Sequence, residues 1–228
     1  MKVDRRDFLV KSGWFGAGMV LSRLPGALAQ HGWLDVASAQ EADLTRDTLN
    51  GLVVFIMPGP DAYSVAQGQT TESPGALEAR TTDILIESLD NFVPASAAGE
   101  VSMGVPLSGA VANLLNGQAA QVNPAAAGGG FPSHFARLTF EEKAEVFRRI
   151  ENTAGSDDAA RNIRFVGGIL PGFVAFLAFS EWAVFDPETK ELTGRPVGWK
   201  IAGYQPNGPV EGWPELKGYY QGRRKARG

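Results

Sequence analysis

The chain has no cysteine, and its 228 residues include only two histidines, His31 and His134. The first absence removes disulfides, thiolate zinc sites, iron–sulfur ligation and Cys-x-x-Cys-His haem attachment together. The second leaves too few imidazoles for a transition-metal site built on several histidines. Positive charge is scarce as well: 21 basic residues against 25 acidic give a net charge of -4, so the footprint of a nucleic-acid binder is missing. Three catalytic signatures are absent, namely a Gly-x-Ser-x-Gly elbow, His-Glu-x-x-His and a Gly-x-Gly-x-x-Gly turn between strand and helix.

What the chain does have begins at its N-terminus. Asp4-Arg5-Arg6-Asp7-Phe8-Leu9-Val10-Lys11 has the form of a twin-arginine export motif: two arginines, then Phe8-Leu9, then a lysine. A modestly apolar run from Gly13 to Ser22 follows, and Ala27-Leu28-Ala29 supplies small residues at both positions of an A-x-A cleavage site, which places the cut between Ala29 and Gln30. Residues 1–29 hold five basic and two acidic side chains, so removing them leaves 16 basic against 23 acidic, a net charge of -7. The twin-arginine route carries proteins already folded, often around a cofactor. No residue pattern here suggests a cofactor site, so the signal suits a partner that folds around one.

Residues 30–43 are small and polar and form a linker. Leu49, Leu52, Val53 and Ile56 then recur at helical spacing and predict a helix from about Thr45 to Met57, stopped by Pro58-Gly59-Pro60-Asp61. Residues 61–73 are predicted as a polar loop anchored by Tyr63 and Val65. Ser73-Pro74 would open a second helix carrying Leu77, Ile84, Leu85, Leu89 and Phe92 on one face. Asp83, Glu87 and Asp90 on that helix have the makings of an acid–base pair but read better as a solvated face. A shorter helix from Leu107 should end at Asn116-Gly117 or resume to Val122, and the glycine-rich stretch 123–132 is predicted as a flexible surface loop. Thr139-Phe140-Glu141-Glu142 is a capping box that opens a helix to Glu151 or Asn152, with Ala144, Val146, Phe147 and Ile150 inward. His134, alone beside Phe135, reads as packed or solvated.

The most apolar stretch, Phe165 to Phe185, carries no charge before Glu181. Its sixteen uncharged residues from Phe165 to Ser180 fall short of the roughly 20 that cross a bilayer, and Pro171 with Gly167, Gly168 and Gly172 interrupts them. A helix apolar all round calls for burial in protein or lipid, so the stretch reads as a central core helix, kinked or started near Pro171. Asp157-Asp158 favours the N-terminus of the helix leading into it. Beyond Asp186 the chain is turn-rich, then interleaves glycine with Trp199, Tyr204 and Trp213 in a segment poorly suited to helix or strand. Such aromatics either cover their own core or anchor a partner. The tail 215–228 holds Arg223, Arg224, Lys225 and Arg227, suited to solvent, to an acidic partner or to anionic lipid.

Taken in order, the twin-arginine leader, the turn Ile56-Met57-Pro58-Gly59-Pro60-Asp61, the helix start Leu138-Thr139-Phe140-Glu141-Glu142-Lys143 and the segment Val197-Gly198-Trp199-Lys200-Ile201-Ala202-Gly203-Tyr204 resemble the gluconate 2-dehydrogenase subunit 3 family. Its members are small companion subunits of periplasmic flavin dehydrogenases of the glucose-methanol-choline class. The resemblance covers about residues 1–214 in element order and is sharpest at Gly198–Tyr204. It implies an export signal carried for a catalytic subunit that lacks one, with FAD and the redox chemistry in that large subunit and no cofactor in this chain. The insert 95–133 and the tail have no counterpart in the family pattern.

The resulting expectation is a mostly α, single-domain helical bundle around an apolar helix, with an irregular Gly/Trp/Tyr-rich C-terminal segment. Domain limits are a signal peptide at 1–29, a linker at 30–43, a companion-subunit domain at 44–214 and a basic tail. Its partners would be the flavin-dependent dehydrogenase and the twin-arginine translocon, with no nucleic acid and a membrane reached only through the signal peptide or a partner. The location would be the periplasm or cell envelope. Two competing readings are a solitary exported protein with an apolar ligand beside 165–185, and an enzyme using Asp83 and Glu87.

Overall fold

A computed structural model describes residues 42–92 and 106–204. The leader residues Arg5, Arg6, Phe8 and Leu9, the cleavage residues Ala27, Ala29 and Gln30, Trp213 and the basic tail lie outside the described residues, as do His31 and positions 93–105, which include the start of the insert. The described chain is a mostly α single domain. Its helices are α1 (Ala42–Ile56), α2 (Ala62–Ala66), α3 (Thr81–Glu87), α4 (Leu107–Val122), α5 (Phe140–Glu151), α6 (Asp158–Phe179) and α7 (Val197–Ile201). A two-residue antiparallel hairpin, β1 (Phe185–Asp186) with β2 (Glu191–Leu192), pairs Phe185 with Leu192.

Helix α1 follows its apolar spacing. Leu49, Leu52, Val53 and Val54 are fully buried, and the helix touches α2, α3, α4 and α6. Around it pack Leu85 and Leu89, Leu114 and Leu115, Val146 and Ile150, and Val166, Leu170 and Val174 of α6, forming one continuous core. The capping box forms as its sequence requires: Thr139 accepts from the Glu142 amide, and the Glu142 carboxylate accepts from the Thr139 amide at 2.9 Å. Asp157 caps α6 by accepting from the Ala160 amide at 2.7 Å.

Several boundaries differ from the sequence reading for identifiable reasons. The helix expected from Ser73-Pro74 begins only at Thr81. Residues 76–80 are turns, because Arg80 adopts a left-handed conformation (φ 53°) that no α-helix accommodates. The turn is held in place by a backbone crossing: a Cβ on Gly75 would sit 2.6 Å from the Gly59 Cα, and the Ala76 amide donates to the Met57 carbonyl. The same element ends not as α-helix but as a π-helical turn, Ser88–Phe92. The expected loop 61–73 contains α2, started by Asp61, whose carboxylate accepts from both the amide and the hydroxyl of Ser64. Tyr63 is its anchor, whereas Val65 points to solvent.

Helix α4 runs unbroken through Asn116-Gly117 to Val122. Asn116 is occupied laterally, donating to the Thr48 hydroxyl and accepting from the Phe135 amide, so it leaves the helical backbone alone. The glycine-rich stretch after α4 is not a free loop. Asn123 caps a 3-10 turn at Pro124–Ala127, and the Arg137 guanidinium donates to the carbonyls of Ala126, Ala127, Phe131 and Pro132. His134 is tied to the same stretch, its Nε2 lying 2.7 Å from the Asn123 carbonyl. Finally, Val197–Ile201 forms a short helix where the glycine content predicts none, because Pro196 starts it and Gly198 lets it press on the end of α6.

Candidate docking surface and a buried polar cluster

Helix α6 is 22 residues long and continuous through Pro171, which forfeits the one ladder bond its nitrogen would give to the Gly167 carbonyl. Its inner face is set by Ile163, Val166, Gly167, Leu170, Val174, Leu177 and Ala178, all buried. The approach to α5 is close: a Cβ on Gly167 would lie 2.5 Å from Ile150 Cγ2. The outer face is the surprise. Phe165, Gly168, Gly172, Phe176 and Phe179 succeed one another at intervals of three and four residues, which puts them on one stripe of the helix, and all five are exposed.

Burial of this helix is therefore one-sided: it gives Val166, Leu170 and Val174 to the core, as a core helix should, and leaves its other apolar face uncovered. Together with the turn after it, α6 is long and apolar enough to cross a membrane, and less than half of its most apolar window is buried. Phe176 keeps 53% of its surface exposed, and Trp182 and Phe185 extend the apolar surface past the helix end. Of the eight large hydrophobic side chains exposed among the described residues, seven lie between 165 and 204. Monomers rarely show a contiguous apolar patch of this kind without using it.

The two predicted aromatics that fall within the described residues border this surface. Gly198 packs on the Phe179 backbone, where a Cβ would meet the Phe179 Cα at 2.7 Å, and this seats α7 on the end of α6. Trp199 is half-buried and meets the Tyr204 ring edge-on at 5.0 Å. Arg195 fixes the turn by donating to the Tyr204 carbonyl, leaving that ring and Ile201 exposed beside the stripe. Sequence reasoning found Trp199 and Tyr204 through their glycine-flanked aromatic pattern. It missed Phe165, Phe176 and Phe179, although their spacing along the helix was readable.

Elsewhere in the domain the chain encloses polar groups. Lys143 is fully buried in α5, and its Nζ donates to Gln67 Oε1 at 2.9 Å and lies 5.6 Å from the Phe135 ring centre. Asp47 accepts from the Tyr63 hydroxyl at 2.7 Å and from the Ser133 amide at 2.8 Å, while Gln67 gives its amide to the Val54 carbonyl. Burial pushes the Lys143 ammonium down to about 7 against the pull of Asp61 and Asp47. Burial also pushes the Tyr63 phenol up to about 12, reinforced by the Asp47 carboxylate.

The acidic residues considered for catalysis are committed to structure. Asp83 takes Arg46 at 2.6 Å and Arg80 at 3.3 Å, and the Arg46 hydrogen bond is the main cause holding its carboxyl below the usual range. Asp90 accepts from the amide and hydroxyl of Ser108 and so caps the first turn of α4. Glu87 faces solvent, four residues after Asp83 and three before Asp90. No group of three His, Asp or Glu side chains placed to hold a metal occurs among the described residues. Comparison of the chain with protein-family models, with curated proteins and with solved structures gives no match in any of the three.

Proposed function

We propose that this chain is the non-catalytic small subunit that exports, matures and stabilises a flavin-dependent dehydrogenase of the glucose-methanol-choline class. The observation that carries the reading is the one-sided burial of α6: an aromatic stripe of Phe165, Phe176 and Phe179, continued by Trp182, Phe185 and Tyr204, faces outward on a domain whose core is otherwise closed. An apolar face of this length wants a protein partner. The twin-arginine leader, with Arg5, Arg6, Phe8 and Leu9, supplies the second support, since it suits cargo folded before export. In this reading the catalytic subunit binds FAD and oxidises the sugar or alcohol, while this chain brings it through the translocon and stays bound in the periplasm or cell envelope.

The test is co-purification from the native host. The tagged chain should bring down a larger polypeptide with the yellow absorbance of flavin, and Arg5→Lys with Arg6→Lys should leave both proteins in the cytoplasm. If the large flavoprotein reaches the envelope unchanged in that double variant, the export role is wrong. A soluble monomer that purifies with a lipid-like molecule on α6 would favour the solitary ligand-binding reading instead.

A further inference from the structure

An ammonium has three N–H donors and seeks an acceptor for each. Lys143, with no surface exposed, has one, Gln67 Oε1. The two carboxylates that act on it electrostatically are both spent elsewhere. Asp47 serves Tyr63 and Ser133, and Asp61 serves the amide and hydroxyl of Ser64. The neutral amine, with two donors and a lone pair, leaves less unsatisfied in this setting than the cation does.

We propose that Lys143 is a proton-operated latch on the segment 58–67: as a neutral amine it lets the segment close over α5, and on taking up a proton it draws the Asp61 carboxylate from Ser64 and loosens α2. Asp61 is the carboxylate that moves because it is half-exposed and sits at the start of a five-residue helix, whereas Asp47 is buried in α1. Releasing Asp61 removes the cap of α2. It also frees Ser64, whose hydroxyl accepts from the Gly59 amide, so the contact between the Gly59 and Gly75 backbones loosens with it.

The neighbouring charges do not supply an alternative partner for the ammonium. Helix α4 carries no charged residue. From the 3-10 turn before α5, His134 is engaged by Asn123 and Arg137 by loop carbonyls. On α5 itself Glu142 is taken up by Thr139 and Asn123, and at the start of α6 Arg161 pairs with Asp158 while Arg164 donates to Thr153 and Gly155. That leaves Asp47 and Asp61 as the carboxylates acting on the amine. Its displaced titration places the switch near neutral pH, within the range a protein meets.

Hydrogen exchange of residues 59–68 in the full chain, compared between pH 8.5 and 6.0 after correction for intrinsic rates, tests this. The wild type should lose protection by about tenfold at the lower pH, and Lys143→Met should lose none. Equal pH dependence in both proteins overturns the proposal, and so does a wild type without any. Should Lys143→Met fail to fold, Gln67→Glu takes its place: a charged acceptor keeps the ammonium ionised and should move the transition to higher pH. A midpoint unchanged by Gln67→Glu contradicts the latch equally.

Discussion

Two phenylalanines 41 residues apart in sequence, Phe135 and Phe176, describe the two halves of this domain. Phe135 has no exposed surface, and its ring stands edge-on to Phe147 under the Lys143 ammonium. Phe176 lies on the helix with the strongest apolar character and still faces outward. In residues 42–153 even charged groups are drawn in and given partners, whereas in residues 158–204 apolar groups are left out. Packing and hydrogen bonding explain most of the first arrangement, with the Lys143 ammonium and the Thr81, Thr82 and Ser88 hydroxyls as its exceptions. The second gains nothing for the isolated chain, and the proposed docking role would account for it.

The sharpest way to break this contrast is to remove both rings. Phe135→Ala should cost about 3–5 kcal/mol, while Phe176→Ala should stay within about 0.5 kcal/mol, both read by urea denaturation of the isolated chain. Comparable losses would mean that Phe176 is buried in solution and that the two halves do not differ.

The second prediction concerns Lys143 and follows from the sign of its shift. Its folded value, about 7, lies below its ordinary 10.5, so between those limits the unfolded chain binds the extra proton and stability rises with pH. The rise should reach about 1.4 kcal/mol for each pH unit, seen between pH 7 and 9, below the range where the Tyr63 phenol begins to titrate. Lys143→Met should abolish the rise and be the more stable protein at pH 7, by about 1–4 kcal/mol. A wild-type stability flat over that window would show that the ammonium is solvated or paired.

The smallest effect is at Thr81, whose hydroxyl is buried without a hydrogen-bond partner, as are those of Thr82 and Ser88. Thr81→Val keeps the shape and removes the unsatisfied group, so thermal melting should show it neutral or stabilised by up to about 1 kcal/mol. A clear loss would point to a partner for that hydroxyl and make the polar half more completely satisfied than it is here.

Local signals in the sequence carried well. Thr139-Phe140-Glu141-Glu142 and Asp157 announce helix starts through side chains that bond the nearest free amides, and no distant contact is needed to read them. The spacing of Leu49, Leu52, Val53 and Ile56 likewise fixes α1. What depends on distant contacts stayed hidden. Arg80 ends the turn ahead of α3 because the Gly59 and Gly75 backbones meet, a contact sixteen residues apart. Lys143 sits beside Glu142 in a charged stretch and looks like a solvent-facing residue, yet it is buried because Gln67 reaches it across 76 positions of chain. For α6, composition gives apolar character on every side, and periodicity does not say which side its own domain leaves uncovered. The signal for that was the regular return of Phe165, Phe176 and Phe179 with only glycine between them on the stripe.

The central claim is that the outward stripe of α6 is a protein-docking face, and one binding experiment addresses it most directly. The triple variant Phe165→Ser, Phe176→Ser, Phe179→Ser is compared with the wild type for capture of the flavin-bearing large subunit, with helical circular dichroism recorded on both. The account predicts an unchanged helical spectrum and a loss of capture of at least about a hundredfold, as expected when several aromatic anchors are removed together. Full capture by a folded triple variant would contradict it.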